Sequence, residues 1–261
     1  YLADGEKVKY VLSYDESGKA ETRTNYIYVD GSKELIWFTL SYDVEDVSDP
    51  DSDASLNDSL LKSKTIFTGK DVAYVLTLDG LNVTGQSFYI YDGDDLNYIE
   101  QYRAEGTVRT DVAGKDETDE PYDTIEIGAL RTKIQYNSNG QTINYSLNYD
   151  NDGLVIESTT YYIYKVGSEE DLDKLYTFEG DKSPSIRSSS DINDLSTIIV
   201  YRDEDGETVD YTLRTEGSEI EAKSYYEYGG DDTLDVITEY KATGTVNHNE
   251  STDLSNWDWL D

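Results

Sequence analysis

The chain contains no cysteine, no methionine, only three prolines and a single histidine, and few of its charges are positive. Without Cys there is no disulfide, no thiolate nucleophile and no Cys-ligated zinc. Methionine is missing even at position 1, where Tyr stands, so a processed chain is expected. A mature exported protein that has shed its signal segment is the simplest account. No apolar run approaches the roughly 18 residues of a membrane-spanning helix. The lone His248, in TVNHNES, sits among Asn and Glu near a terminus and reads as a surface residue. Ser–His–Asp catalysis, which needs a His with a partner in a cleft, is poorly supported.

Lys and Arg number 21 against 56 Asp and Glu, a formal net charge of -35. Nucleic acid and anionic membrane are polyanions that need basic patches, which excludes non-specific binding to either as the main role. Only 36% of residues are hydrophobic, which with this charge would point to disorder. Yet 12% are aromatic, 25 of them Tyr, and disordered acidic tails are poor in aromatics. The composition therefore describes a folded protein with an acidic exterior. Such an exterior suits a salty medium, where screening weakens self-repulsion, or carboxylates that bind divalent cations. An ordinary soluble acidic protein is the third account.

What the chain does have is repetition. The pattern G-x-x-[V/I]-x-Y-x-L begins at Gly5, Gly69, Gly140 and Gly206. After each copy, at nearly fixed spacing, comes a Tyr-rich quartet: NYIY (25–28), FYIY (88–91), YYIY (161–164) and YYEY (225–228). Two motifs recurring in order imply four tandem copies of a unit of roughly 65 residues. Val8, Tyr10 and Leu12, like Val209, Tyr211 and Leu213, alternate with mostly polar neighbours, the signature of a half-buried strand. Gly with Asp, Asn or Ser between the first two elements marks hairpin turns.

A third element follows each quartet: KELIWFTL, DDLNYIEQY, EDLDKLYTF and DTLDVITEY. The strides Leu96/Ile99/Tyr102, Leu172/Leu175/Phe178 and Leu234/Ile237/Tyr240 suit a short helix ended by Gly106, Gly180 or Gly244. The β-formers in the same stretches favour a strand, slightly the stronger reading. Apolar pieces at 65–67, 133–136 and 197–201 supply a fourth element before each of the last three Gly motifs.

The expected fold is therefore mainly β: repeats at residues 1–48, 62–112, 124–181 and 195–245, each an antiparallel meander, then a tail at 246–261. The polar linkers between repeats hold Pro50, Pro121 and Pro184, one apiece, and Pro is pushed to edges and loops. Units this small are marginal alone, so they are expected to pack on one another. Long linkers favour a row or two pseudo-symmetric halves over a closed propeller or barrel.

Candidate sites are few. Asp49, Asp51 and Asp53 alternate in the first linker, and Asn148, Asp150 and Asp152 precede Gly153 like the opening of a calcium loop. Thr159 stands where a calcium loop of that type has its bidentate Glu, so this is not an EF-hand. Asp92, Asp94 and Asp95, and likewise Asp231 and Asp232, occupy one turn in two repeats. Ca²⁺ is the ion these oxygens would take; solvated turn acids are the plainer account, and no cofactor is required. Asn57, Asn82, Asn144 and Asn249 head glycosylation sequons, a triplet common by chance in such a composition. In the tail, Trp257, Trp259 and Leu260 either fold back on the last sheet or add a strand to a neighbouring copy. Carboxylate pairs that could cleave glycosides are too easily found among 56 acids to mean anything, and no catalytic residue is assigned.

Repetition without a unique reactive site reads first as a non-enzymatic, secreted or cell-surface structural protein. It would be a filament or surface-layer subunit, homo-oligomeric or polymeric, with no nucleic-acid partner and no direct membrane insertion. The second reading is an extracellular module binding glycans or a lipophilic ligand; the third is a glycoside hydrolase-type enzyme.

Overall fold

The computed structural model describes residues 7–29, 35–110, 123–165, 167–168, 171–182, 189–202, 208–229, 233–247 and 258–260. Alternating apolar and polar residues make strands throughout. The first four are β1 (Tyr10–Tyr14), β2 (Ala20–Tyr28), β3 (Ile36–Asp43) and β4 (Leu61–Thr68). Next come β5 (Asp71–Asp79), β6 (Asn82–Asp92), β7 (Asp95–Thr107) and β8 (Thr124–Tyr136). β9 (Ile143–Tyr149), β10 (Ile156–Tyr164), β11 (Leu172–Glu179) and β12 (Leu195–Tyr201) follow. The last are β13 (Val209–Glu216), β14 (Glu219–Tyr228), β15 (Leu234–Asn247) and β16 (Asp258–Leu260). Each strand hydrogen-bonds to its neighbours in chain order, giving one open antiparallel sheet. Among the described residues the sheet does not close into a propeller or barrel. The Gly-led patterns fall on β1, β5, β9 and β13, and the Tyr-rich quartets on β2, β6, β10 and β14.

The third elements are strands, not helices, and their register explains the misleading stride. Tyr162 on β10 faces Leu175, while Tyr164, two residues on, faces Leu172, three residues away. An extra residue bulges out between them. Tyr226 and Tyr228 meet Ile237 and Leu234 in the same way, as do Tyr26 and Tyr28 with Thr39 and Ile36. A bulge inserts one unpaired residue and shifts the period locally, so Leu172 and Leu175 share a face without any helix, while Phe178, three residues further on, lies on the other face with Tyr161. Two glycines expected to end helices instead lie inside strands, Gly106 in β7 and Gly244 in β15. At Gly106 a Cβ would come within 1.8 Å of the Thr124 carbonyl oxygen, so only glycine permits that approach.

The chain forms two compact units, Tyr1–Ile90 with Ile99–Arg131, and Tyr91–Tyr98 with Thr132–Asp261. In the first, Phe38, Leu40, Leu61, Leu76, Leu78 and Val83 form a buried cluster on one face of the sheet. Linker residues Val44, Val47, Leu56 and Leu60 pack over it. In the second, Tyr161, Tyr176, Phe178, Leu195, Ile198 and Leu213 do the same, with Ile192 from a 3₁₀ turn at Ser189–Asp194. Leu61, Leu76, Leu195 and Leu213 are all at most 1% exposed. A linker turn rests on a hairpin glycine in each unit. Gly80 (φ +60°) would bring a Cβ within 3.2 Å of the Asp58 carbonyl, and Gly217 (φ +61°) within 3.2 Å of Asn193. Positive φ and close backbone together require glycine at both places.

The opposite face carries hydroxyls and the paired tyrosines. Thr24 and Ser41 are 3.0 Å apart across β2 and β3, and Thr160 and Thr177 are 3.0 Å apart across β10 and β11. The doublets Tyr26/Tyr28, Tyr89/Tyr91, Tyr162/Tyr164 and Tyr226/Tyr228 are all half-buried. The tyrosines of the Gly-led strands point the other way, toward the core side.

Candidate functional site

The core face carries three aromatic ladders. Tyr74, Phe88 and Tyr102 stand with ring centroids 5.9 and 5.8 Å apart. Tyr145, Tyr161 and Phe178 repeat the row at 5.9 and 6.0 Å, and Tyr211, Tyr225 and Tyr240 at 6.2 and 6.1 Å. Tilted and edge-on ring pairs at such distances are favourable beyond the area they bury. Register places Tyr10 and Tyr42 at the outer rungs of the first row, but its middle rung is Asn25. The first row is therefore a ladder without its central ring.

A hollow of about 390 Å³ opens there, with Asn25, Ile27, Leu40 and Tyr42 among the sheet residues that line it, and Leu56, Asn57 and Asp58 from the linker. Beside it lies Arg23, which pairs with Leu12 across the strands as Gln86, Thr159 and Lys223 pair with Leu76, Leu147 and Leu213. Arg23 is fully buried. Its guanidinium stacks on the Tyr10 ring 4.0 Å from the centroid, donates to Asn25 Oδ1 at 2.9 Å and to the Pro50 carbonyl at 2.9 Å, and reaches Asp53 Oδ1. A guanidinium is always charged and its planar fork of donors demands several partners. Two of those partners, Pro50 and Asp53, come from the linker, so Arg23 ties residues 50–53 down onto β1 and β2.

Two more bonds complete the clamp. Lys9 Nζ donates to Asp53 Oδ2 at 2.5 Å, and the Tyr10 hydroxyl donates to Asp51 Oδ1 at 2.8 Å. The bond from Lys9, reinforced by Arg23, holds the Asp53 carboxyl below the usual carboxylate range. The hydrogen bond to Asp51 pushes the Tyr10 phenol up. The Tyr42 phenol is pushed up by burial, with Asp58 adding to it. Asp53 has a lowered folded value, so its contribution to stability is present above its unfolded value near 3.8 and is lost as pH falls through the folded one. Asp53→Asn should thus be less stable than the parent at neutral pH, and the gap should close as pH falls below the carboxylate range. Urea midpoints measured across that range check this, and a gap that persists at the acid end would contradict it.

The acids singled out in the sequence do not converge. Asp51 and Asp53 are engaged by Tyr10, Lys9 and Arg23, while the main-chain oxygen of Asp49 accepts from Ser52 N at 3.2 Å. Asp150 Oδ1 accepts from Leu154 N and Val155 N at 2.9 and 3.2 Å, closing its own turn. Those bonds hold the Asp150 carboxyl below its ordinary range. Asn148 instead reaches across the strands, donating to Ser158 Oγ at 3.1 Å. Among the described residues, no three acids or histidines gather as metal ligands. Asn57 and Asn82 are exposed and Asn144 half-buried. Asn57 Oδ1 accepts from Ser59 N at 3.0 Å. Asn249, His248 and Trp257 lie outside the described residues. The backbone of Trp259 and Leu260 belongs to β16, which pairs with Thr245–Asn247 of the same chain.

Sequence reasoning did not single out Arg23 or Asn25. The signal was present in the first letter of the four quartets, Asn against Phe, Tyr and Tyr, because that letter is the middle rung.

Neither a family model nor a curated protein matches the chain. Among solved structures, a mutant of S. aureus TarM in complex with fondaparinux, alpha-GlcNAc-glycerol and UDP is similar at 9% identity and a TM-score of 0.22, over 59% of this chain and 21% of that one. The Photorhabdus luminescens Tc holotoxin pore is similar at 10% identity and a TM-score of 0.17, over 92% of this chain and 14% of that one. The chain spans less than a quarter of either protein's length, and likeness at this level assigns neither family nor function.

Proposed function

We propose that the chain is a non-enzymatic, secreted or cell-surface structural protein, four copies of one four-strand unit, whose sheet continues from one molecule to the next through its strand edges. The observation that carries this reading is the outer edge of β15. On β3, the stretch Phe38–Tyr42 is covered by β4, and on β11 the stretch Lys174–Phe178 is covered by β12. On β15 only Thr245–Asn247 pairs outward, with β16, among the described residues. Val236, Ile237 and Tyr240 are 47%, 53% and 56% exposed. A long apolar edge with unpaired backbone groups is a template for another strand.

The partner strand in this reading is β1 of a second copy. Within a unit, the first strand of one copy pairs with the fourth of the copy before it, as β5 does with β4 and β13 with β12. Among the described residues β1 pairs only with β2, and Val11 on it is 48% exposed. Lys9 beside β1 is already paired with Asp53, and Glu239 on β15 lies 3.8 Å from Arg214 Nη1, so apolar side chains and unpaired backbone groups, rather than charge, carry the contact. Joining unlike edges is a heterologous contact, which propagates into open chains.

Sedimentation velocity over a range of protein and salt concentrations tests it. Larger species should appear as protein rises, more readily with added salt, which screens the net charge. Ile237→Lys, at an exposed position, should return the protein to monomer with an unchanged circular dichroism spectrum. A monomer at every concentration and salt would overturn the reading.

A further inference from the structure

We infer that the hollow in the first unit is a binding site for one neutral pyranose ring of a glycan. This does not depend on the structural role. The inference rests on what replaces the missing rung. In the other three rows the middle position holds Phe88, Tyr161 or Tyr225, each within about 6 Å of its neighbouring rings. In the first row Asn25 stands where the others have that ring: the Arg23 guanidinium covers the Tyr10 side, and the hollow opens on the side of Leu40 and Tyr42, bordered but not filled by the linker. The resulting volume of about 390 Å³ falls within the range of small-ligand sites.

The lining selects the chemistry. Its floor is Ile27, Leu40 and the buried Tyr42, an apolar surface that suits the C–H face of a sugar. Its polar lining is Asn25, Asn57, Asp58 and Thr110, with the Lys9–Asp53 ion pair. The Oδ1 atoms of Asn25 and Asn57 accept from Arg23 and Ser59, so each amide still has its NH₂ group to donate, while Asp58 supplies an acceptor. Donors and an acceptor around an apolar floor match adjacent ring hydroxyls, each of which both donates and accepts. A purely aromatic occupant would leave these polar groups desolvated and unpaired, which is unfavourable. An anion would meet Asp58, and the Lys9 ammonium on the lining is already paired with Asp53, in a chain of net charge -35. Asn57 also heads a sequon, so a glycan attached there would block the hollow, and protein for the test is made in a non-glycosylating host.

The experiment titrates the full chain with glucose, galactose, mannose and N-acetylglucosamine, and with short oligomers of each, followed by ligand-observed NMR and calorimetry. At least one sugar should bind saturably with one site per chain and a Kd on the order of 1 mM or tighter. Asn25→Tyr places a ring at the position where the other rows have one and fills the hollow; it should remove that binding while the protein stays folded, with a lowered melting temperature because Arg23 Nε loses its acceptor. Asp58→Asn, at an exposed position, should weaken binding at least tenfold without altering the fold. No saturable binding across the panel would overturn the inference. So would binding that survives in folded Asn25→Tyr, because the sugar would then sit elsewhere, on Tyr225 and Tyr240 for example. If Asn25→Tyr fails to fold, the Asp58→Asn result decides, with undiminished affinity counting against the site.

Discussion

Asp123→Ala should lower the unfolding free energy of the first unit by about 3–5 kcal/mol, the cost of leaving a buried charge without its partner. Lys64 Nζ lies 2.7 Å from Asp123 Oδ2 and 3.0 Å from Oδ1, and the two side chains are only 5% and 1% exposed. The ammonium also donates to the Arg109 carbonyl at 3.3 Å and lies 4.7 Å from the Phe38 ring centroid. Those contacts cannot neutralise it once the carboxylate is gone. The charge recurs at Lys133, which faces Leu147 as Lys64 faces Leu76, but not at the next such place. Lys64 stands between Leu40 and Leu76 across the sheet, where Ile198 in the second unit stands between Tyr176 and Leu213. An apolar residue is thus compatible with the position. Lys64→Ile combined with Asp123→Ala should recover most of the loss, since replacing both members of a buried pair is often neutral or better. Denaturant unfolding, with hydrogen exchange of the β3–β5 amides to localise the effect, completes the cycle. A cost under about 1 kcal/mol for the single change would mean that water reaches the ammonium and the pair is not dry.

The sheet was readable from the sequence and the site was not, and the reason lies in what each depends on. Strands β5 and β13 follow from Val, Tyr and Leu at every second place after a turn glycine, information contained within about ten residues. The third elements were ambiguous because a bulge and a helix produce the same stride of three in one dimension. Only the partner strand separates them, through pairs such as Tyr162 with Leu175 and Tyr164 with Leu172. The acids of the first linker drew attention as a metal cluster because alternation looked like ligand spacing. In the fold Asp51 and Asp53 are instead met by Tyr10, Lys9 and Arg23, about forty residues earlier for Tyr10 and Lys9. Lys64 and Asp123, 59 residues apart, carried no local signal at all. What distinguishes the first unit is the fully buried charge of Arg23 and the Asn25 that stands where the other rows have a ring. A search for recurrence passes over such departures, and here they mark both the clamp and the hollow.

Tyr161→Ala should cost about 3–5 kcal/mol, and Tyr225→Ala, at the same rung of the next row, only about 1 kcal/mol. Both rings sit between two others at nearly the same spacing, 5.9 and 6.0 Å for Tyr161 and 6.2 and 6.1 Å for Tyr225. Ring pairing contributes about 0.5–1.5 kcal/mol beyond area and is common to the two sites. Burial is not: Tyr161 is 2% exposed and belongs to the second unit's main cluster, whereas Tyr225 is 41% exposed. Removing the first leaves a cavity that its neighbours only partly fill; removing the second exposes little that was dry. Urea unfolding of the two variants therefore separates ladder geometry from burial as the source of stability. Equal losses would assign it to the rings' mutual contact. The expected inequality has a consequence for the open edge. Tyr225 packs on Tyr240, which lies on β15 near the unpaired stretch, so Tyr225→Ala should act on assembly, lowering the proportion of larger species in sedimentation while the monomer keeps its unfolding midpoint within a small margin. A variant that lost stability and assembly in equal measure would place this last row in the core and leave the edge without its apolar support.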